Sequence, residues 1–446
     1  MGSWQAIGAS IVFVSVIGTI IMEWLPLTVA AMLGALLLVV SNILTLDRAI
    51  GYIASSHPTL GLFFGVMVMI RSLQPTRIFE YLATQMVILA KGKGSRLLLG
   101  IVAITTPICA VLPNATTVML LAPLIPPLAQ EIGVDFVPLL IVMVFVANSS
   151  GLLTLVGDPA TFIVGSSIRM TFTDYLQTLS FGGVLAVLVV VATLPFLFKK
   201  IWQTELSDTE TLPRHPIEHR RTLGLGLVIV LLVLVFFVVG EMLPVPISPT
   251  TVALLGAVLC LLLAHHSKID SVNNILRDVD WSTLLFFMSI FVLIGGLQYT
   301  GVVSSASSVL ALLLGKNIAL GSIVLLFLVG LLSSVVPNIP LVVAMVPMLK
   351  EYLVDAGFVG AEILNPGSTK ALPPEVLPLF YAMMYGATLG GNGTLVGASA
   401  NIVAAGISEQ HGKPISFQRF LYYGLPTMGL QLFVLATYVA IAFLRK

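Results

Sequence analysis

Asp158 lies in the middle of an apolar run, in TLVGDPAT at residues 154–161, between Asp135 and Arg169, whereas the other ionisable residues fall near the ends of such runs. A carboxylate at membrane depth is costly without a partner, so by default it is read as a proton or cation site. Asp-Pro is also a helix start, with Asp as N-cap and Pro at the first helical position, and the two readings are compatible. The stretch recurs as TLVGASAN at 394–401, with Ala398 where the first copy has the acid. An element duplicated but charged only once suggests divided labour. Asp158 would hold a coupling cation or proton beside the first of two Pro-Asn breaks, and Ala398, Ser399 and Asn401 would offer neutral contacts in the second half.

Four polar interruptions of apolar sequence carry the other candidates. Two are the Pro-Asn breaks, Pro113-Asn114-Ala115-Thr116-Thr117 and Pro337-Asn338-Ile339-Pro340. Two follow them: Asn148-Ser149-Ser150-Gly151 leading through Thr154 to Gly157-Asp158, and Thr388 with Gly390-Gly391-Asn392-Gly393-Thr394 leading to Gly397, Ser399 and Asn401. Amides, hydroxyls and bare backbone suit a small ion losing its hydration shell. Substrate and ion contacts are therefore expected at these residues, with Na+ near Asn114, Gly157 and Asp158. Ordinary turn chemistry at Pro-Asn, and Ser or Thr bonding its own helix or easing helix packing, are the plainer alternatives. Glu23 and Glu241, each in E-x-L-P, read as interfacial loop residues.

The elements that would hold these groups follow from composition. With 58% hydrophobic and 9% charged residues over 446 positions, the chain is a polytopic, all-α membrane protein. It also repeats itself. PLTVAAMLGALLLVV from Pro26 resembles PTTVALLGAVLCLLL from Pro249, and LPNATTVMLLAPLI resembles VPNIPLVVAMVPML at an offset of 224, which grows to 240 at the TLVG pair. Apolar runs of bilayer length fall near 4–21, 25–42, 59–74, 137–164 and 181–197, then near 222–240, 249–264, 281–297, 377–406 and 421–443. The stretches 97–130 and 317–349 are long for one span and short for two, which fits a re-entrant hairpin with a polar tip. An odd number of spans per half inverts the halves: 1–197, a cytoplasmic linker 198–221, and 222–446. With both termini outside, this arrangement puts 14 of the 21 Lys and Arg residues in the cytoplasm, against 12 if the hairpins cross. Half-helices meeting in inverted repeats are a common way to build a transporter site at the midplane.

Several classes are excluded or disfavoured. A net charge of +1 without basic runs argues against nucleic acid. No G-x-x-x-x-G-K-[ST] loop is present, so ATP would need a separate ATPase subunit. An intramembrane aspartyl protease needs two carboxylates, and only Asp158 lies at membrane depth. Cys109 and Cys260 sit in apolar stretches and read as buried thiols. The first run lacks a basic leader and a cleavage signature, so it is expected to be a retained span. The expectation is an integral protein of the plasma (inner) membrane, in contact with lipid and a small-ion substrate. No catalytic residue is expected, and no cofactor beyond coupling Na+ or H+.

LPNATTVMLLAP, VGDPATFIVGS, and VPNIPLVVAMVP followed by GTLVGASANIVAAG resemble the ion-transporter superfamily: arsenite/antimonite efflux permeases, the melanosomal P protein, silicic acid effluxers, sodium/proton antiporters and divalent-anion/sodium symporters. The resemblance covers nearly the whole chain. It implies a scaffold with a moving transport domain, elevator-type alternating access and a homodimer, with Asn114, Thr116, Asn338, Gly157, Asp158 and Thr394 in the ion and substrate sites. Many relatives have Asp before the hairpin Asn; here Pro113 and Pro337 stand there, so the coupling load falls on Asp158 or on neutral ligands. The function implied is a secondary transporter of a small anion or oxyacid, arsenite-like, inorganic or carboxylate, coupled to Na+ or H+. A cation/proton antiporter or a channel on the same scaffold is the alternative.

Overall fold

The computed structural model describes residues 3–22, 24–205, 216–364 and 370–443, so Glu23 and Arg214 lie outside the described residues. The first half runs α1 (Ser3–Ile21), α2 (Leu27–Val40), α3 (Leu46–Ser55), α4 (His57–Leu73), α5 (Ile78–Ala90), α6 (Gly94–Cys109), α7 (Asn114–Leu121) and α8 (Ile125–Glu131). It continues with α9 (Phe136–Ser150), α10 (Pro159–Ser167), α11 (Phe172–Thr178), α12 (Ser180–Leu197) and the short α13 (Lys199–Trp202). The second half runs α14 (Arg220–Val239), α15 (Pro249–Ser267), α16 (Val272–Arg277), α17 (Trp281–Tyr299), α18 (Val302–Leu314) and α19 (Ile318–Ser333). It ends with α20 (Asn338–Asp355), α21 (Leu377–Gly390), α22 (Ser399–Gln410) and α23 (Phe417–Phe443). The element order is thus run through twice. Among the described residues there is no strand, only one isolated bridge between Lys93 and Glu205.

Each expected apolar run is helical where it was placed, and both later runs are broken, between α9 and α10 and between α21 and α22. The Pro-Asn stretches also form helix, break, helix. Pro113 and Pro337 take nearly the same extended conformation (φ −52°, ψ 139° and φ −53°, ψ 140°), and the Asn after each begins the next helix. Proline has no N–H to continue the preceding helix, which is why the break falls there. α5 and α18 are additional: at 13 residues each they are too short for a window of about 20 to register. The stretch expected to open a hairpin at 317 is preceded by α18, which meets α19 at 113°.

Burial sorts the helices. Every residue of α9 from Phe136 to Ser150 is buried, and so is α21 from Pro378 on, so the two broken helices form the centre. Only 17% of the α1 window and 28% of the α14 window are buried, and α14 shows Leu225, Leu227, Val228, Leu231 and Leu232 to the outside. Helices apolar on every face but this exposed have lipid as their natural solvent.

Charges sit at the ends of the elements. Arg71 on α4 binds Asp270 at 3.1 Å and Asp278 at 2.6 Å, tying α4 to the segment around α16. Glu241 is not a simple loop residue, because its Oε2 accepts from Phe172 N at 3.0 Å and so closes the start of α11. Asp135 caps α9, accepting from Val137 N at 3.4 Å, and also binds Arg419 (2.7 Å) and Lys413 (3.4 Å). Partial burial alone would raise the Asp135 carboxyl, but the hydrogen bonds from Arg419 and Val137 and the two cations outweigh it and hold it below the usual carboxylate range. A depressed carboxyl contributes stability above its unfolded value of 3.8 and loses it as pH falls through the folded value. The contact is partly exposed, so Asp135→Asn should cost only about 0.5–1 kcal/mol at neutral pH. The difference from the native chain should vanish in thermal melts taken well below pH 4.

Candidate functional site

Two clusters form where the halves interlock: α10 packs on α20 and α21, while α22 packs on α7 and α9. Each cluster thus takes a break Asn and a central-helix residue from one half and a post-break residue from the other. In the first, Asn114 Nδ2 donates to Asn148 Oδ1 at 2.9 Å, and Asn148 Nδ2 donates to Asn401 Oδ1 at 3.1 Å and to Asn392 Oδ1 at 3.0 Å. In the second, Thr388 Oγ1 donates to Asp158 Oδ2 at 2.7 Å and lies 3.5 Å from Thr161 Oγ1. Asn338 Nδ2 donates to both Asp158 oxygens, at 3.3 and 3.4 Å. The offsets of 224 and 240 map Asn114, Asn148 and Asn401 onto Asn338, Thr388 and Thr161. Asp158 and Thr161 are fully buried. The clusters are counterparts, one neutral and one holding a carboxylate.

Two features of Asp158 go beyond what the sequence pattern offered. The carboxylate does not bond to the first break; its partners are Asn338 and Thr388 of the second half. The residues expected to share Na+ are therefore divided, with Asn114 in the neutral cluster and Asp158 in the charged one. The reason is the crossing: α10 leaves its own half and docks on α20. Asp158 does occupy the N-cap of α10, with extended backbone (φ −138°, ψ 129°), but its side chain makes no capping hydrogen bond. Its side chain instead accepts across the interface, from Asn338 and Thr388.

Backbone close approach holds the breaks together. A Cβ on Gly157 would come within 2.7 Å of Cys109 O and 2.8 Å of Gly151 O, and one on Gly397 within 3.1 Å of Ser333 O and 3.0 Å of Gly391 O. At Gly157 a side chain would overlap backbone, and at Gly397 it would fit only if the backbone facing it gave way, so the close approach recurs at both sites. Thr154 Oγ1 donates to Ala110 O at 2.5 Å, and Thr394 Oγ1 makes the equivalent short bond to Ser334 O. These two threonines tie each break to its broken helix.

The remaining candidates separate. Ser149 Oγ donates to Phe145 O at 2.6 Å and accepts from Asn392, joining the neutral cluster, while Ser150 bonds Thr106 at 3.3 Å. Thr117 is buried with its hydroxyl against the Cys109 thiol and outside both clusters, and Thr116 lines a cavity beside Arg71 and Asp278. Ser399 is exposed at the start of α22 and belongs to neither cluster. One member was not anticipated: Gln431 of α23. Its Nε2 donates to Ala186 O (3.0 Å) and Ser149 Oγ (2.7 Å), and its Oε1 accepts from Asn392 Nδ2 at 2.9 Å. A backbone carbonyl can only accept, so Ala186 O fixes the Gln431 amide. That orients Asn392, and through it Asn148 and Asn114.

Residues 17–366 match the family model described as citrate transporter. The chain belongs to the citrate transporter family. It is 68% identical over 429 residues to the uncharacterized transporter slr0753 of Synechocystis sp., covering 96% of each chain. It is 31% identical over 445 residues to the uncharacterized transporter Rv2684 of Mycobacterium tuberculosis, covering 98% of each. It is 27% identical to the P protein of Sus scrofa, spanning 97% of this chain and 59% of that one. In fold it resembles the YdaH transporter of Alcanivorax borkumensis, with a TM-score of 0.57 at 13% identity, covering 88% of this chain and 86% of that one. The superfamily resemblance drawn from the motifs thus holds, and this citrate transporter family member is an integral membrane transporter and not an enzyme.

For this family member, Asn114→Ala and Asn338→Ala each remove an amide buried at a break, worth about 1–3 kcal/mol. If that energy is spent on ligand, the half-saturating concentration of the transported ligand should rise about 5- to 150-fold at normal expression. Unchanged saturation in both variants would reduce the breaks to turn chemistry.

Proposed function

We propose that the protein is a secondary active transporter that moves a small anion, carboxylate or oxyacid by an elevator motion coupled to Na+ or H+. The observation that carries this reading is Asp158: fully buried, bonded only to neutral groups, and without a salt bridge among the described residues. Such a carboxylate needs a proton or a cation to be tolerated at that depth. Both break asparagines turn their NH2 groups inward, Asn114 to Asn148 and Asn338 to Asp158, which leaves the Asn338 Oδ1 available to a ligand. The family description adds a carboxylate as the natural first cargo to try. In proteoliposomes, citrate, a dicarboxylate, sulfate, arsenite and chloride should be offered with imposed Na+ or proton gradients. Gradient-driven accumulation of one of them supports the reading. Cation-for-proton exchange with none of them moving would favour the antiporter, in which Asp158 is the exchange site.

The elevator reading requires breaks that do not cross the membrane, so both ends of the α6–α8 stretch should lie on the cytoplasmic face. Gly94 cannot be used for labelling, because a Cβ there would overlap Ile201 O. Arg96 and Gln130 are accessible enough to label. Arg96→Cys and Gln130→Cys, in a chain lacking Cys109 and Cys260, should both react with an impermeant thiol reagent from the cytoplasm. Reaction from opposite faces would end the re-entrant and inverted-repeat reading together.

A further inference from the structure

The repeat builds a cavity twice and charges it differently. One cavity, about 350 Å³, lies between α4 and α7, and the other, about 380 Å³, lies between α4, α10, α17 and α20. At the offset of 224, Met67, Ile70, Arg71, Gln74 and Met119 of the first map onto Phe291, Ile294, Gly295, Gln298 and Val343 of the second. The first contains Asp278 and Asp280, and its one cation, Arg71, is already bound by Asp270 and Asp278. In the second, Gly295 stands in place of Arg71, no Asp or Glu lines the walls, and the cation is Lys350.

Among the described residues Lys350 has one hydrogen-bond partner. Its Nζ donates to Ser167 O, at the C-terminal end of α10, at 2.8 Å. A cation there also suits the helix dipole, and that is a sufficient structural reason for one of its three N–H groups. The other two remain. Tyr52, Thr59 and Gln298 line the same space, and their side-chain hydrogen-bonding groups have no partner among the described residues. The Arg169 guanidinium is near enough to act on Lys350 electrostatically. A part-buried ammonium facing donors, with no acid on the walls, is complementary to negative charge. The position also matters: Lys350 lies 12 residues along α20 from Asn338, a rise of about 18 Å, and α10 runs from Asp158 to the carbonyl that Lys350 holds.

We propose that the Lys350 cavity is an anion-binding antechamber, which holds a small soluble carboxylate or oxyanion on the ammonium and the neighbouring donors before it reaches the Asn338–Asp158 cluster. The volume falls within the range of small-ligand sites. That the held anion is the cargo rests on the transport reading above; that the cavity holds one does not.

The test places Ser55→Cys, exposed on the cavity wall, in a chain with Cys109→Ala and Cys260→Ala. Its modification is timed with an anionic and a cationic methanethiosulfonate of similar size. The ratio of anionic to cationic rates should fall about tenfold on Lys350→Met and be retained by Lys350→Arg. Millimolar citrate or sulfate should slow modification in the parent chain and not in the Met variant. An unchanged ratio in the Met variant, or no protection by either anion, overturns the proposal. The measurements are made in lipid-free detergent; protection seen only after adding anionic phospholipid would assign the site to a headgroup and also overturn it. Loss of the transport reading would show differently, as gradient-independent flux alongside an intact Lys350 effect.

Discussion

Asp158→Asn is expected to fold like the native chain while its uptake no longer responds to the imposed ion gradient. The amide oxygen can still accept from Thr388, and Asn338 can turn its own amide to meet the new NH2 group, so the thermal midpoint should change by no more than about 1 kcal/mol of stability. What disappears is the only ionisable group of the two clusters. Asp158→Ala should be worse for stability, by about 1–3 kcal/mol, because the Thr388 hydroxyl and the Asn338 amide then lack their acceptor. No capping bond is at stake, since none is made. Uptake by the Asn variant that is full and equally gradient-dependent would leave Asp158 with a purely structural role.

The second large effect should come from the mildest-looking change, Asn148→Asp. Asn148 uses its NH2 to serve the oxygens of both Asn392 and Asn401, and its oxygen to receive Asn114. The neighbours cannot turn to accommodate a carboxylate. Asn401 is held by Gly391 O at 2.7 Å and Thr394 O at 2.8 Å, both obligate acceptors, and Asn392 is held by Gln431 and Ser149. An ionised carboxylate at this position would face two fixed oxygens in a fully buried site, and a protonated one could donate only once. Destabilisation of about 3 kcal/mol or more is expected, exceeding that of Asn148→Ala, which empties the position without adding charge. Melting temperatures in detergent decide it; an Asp variant more stable than the Ala variant would contradict the fixed amide polarity.

Breaks are legible in sequence because proline and glycine act on the backbone where they stand. Pro113, Pro337, the Asn148–Asp158 run and the Gly390–Asn401 run all lie at the predicted interruptions. The partners of each group were not legible, because they are set by helices crossing between halves, which nothing local encodes. The second-half donors of Asp158, Asn338 and Thr388, were therefore not foreseen. Ser399 was included because its neighbours in sequence were candidates, yet a helix start presents successive side chains on different faces. Gln431 was missed in a long apolar run, although a lone amide at membrane depth is itself a signal. α5 and α18 escaped because a span-length window cannot see 13 residues.

The docking of α10 on the second half has a consequence for synthesis. Asp158 leaves the ribosome 180 residues before Asn338 and 230 before Thr388. At ordinary elongation rates that is roughly ten to fifty seconds. Throughout that interval the carboxylate lacks the two donors that reach it from the second half, Asn338 and Thr388. A chain stopped after α13 would carry the acid without the groups that make it tolerable.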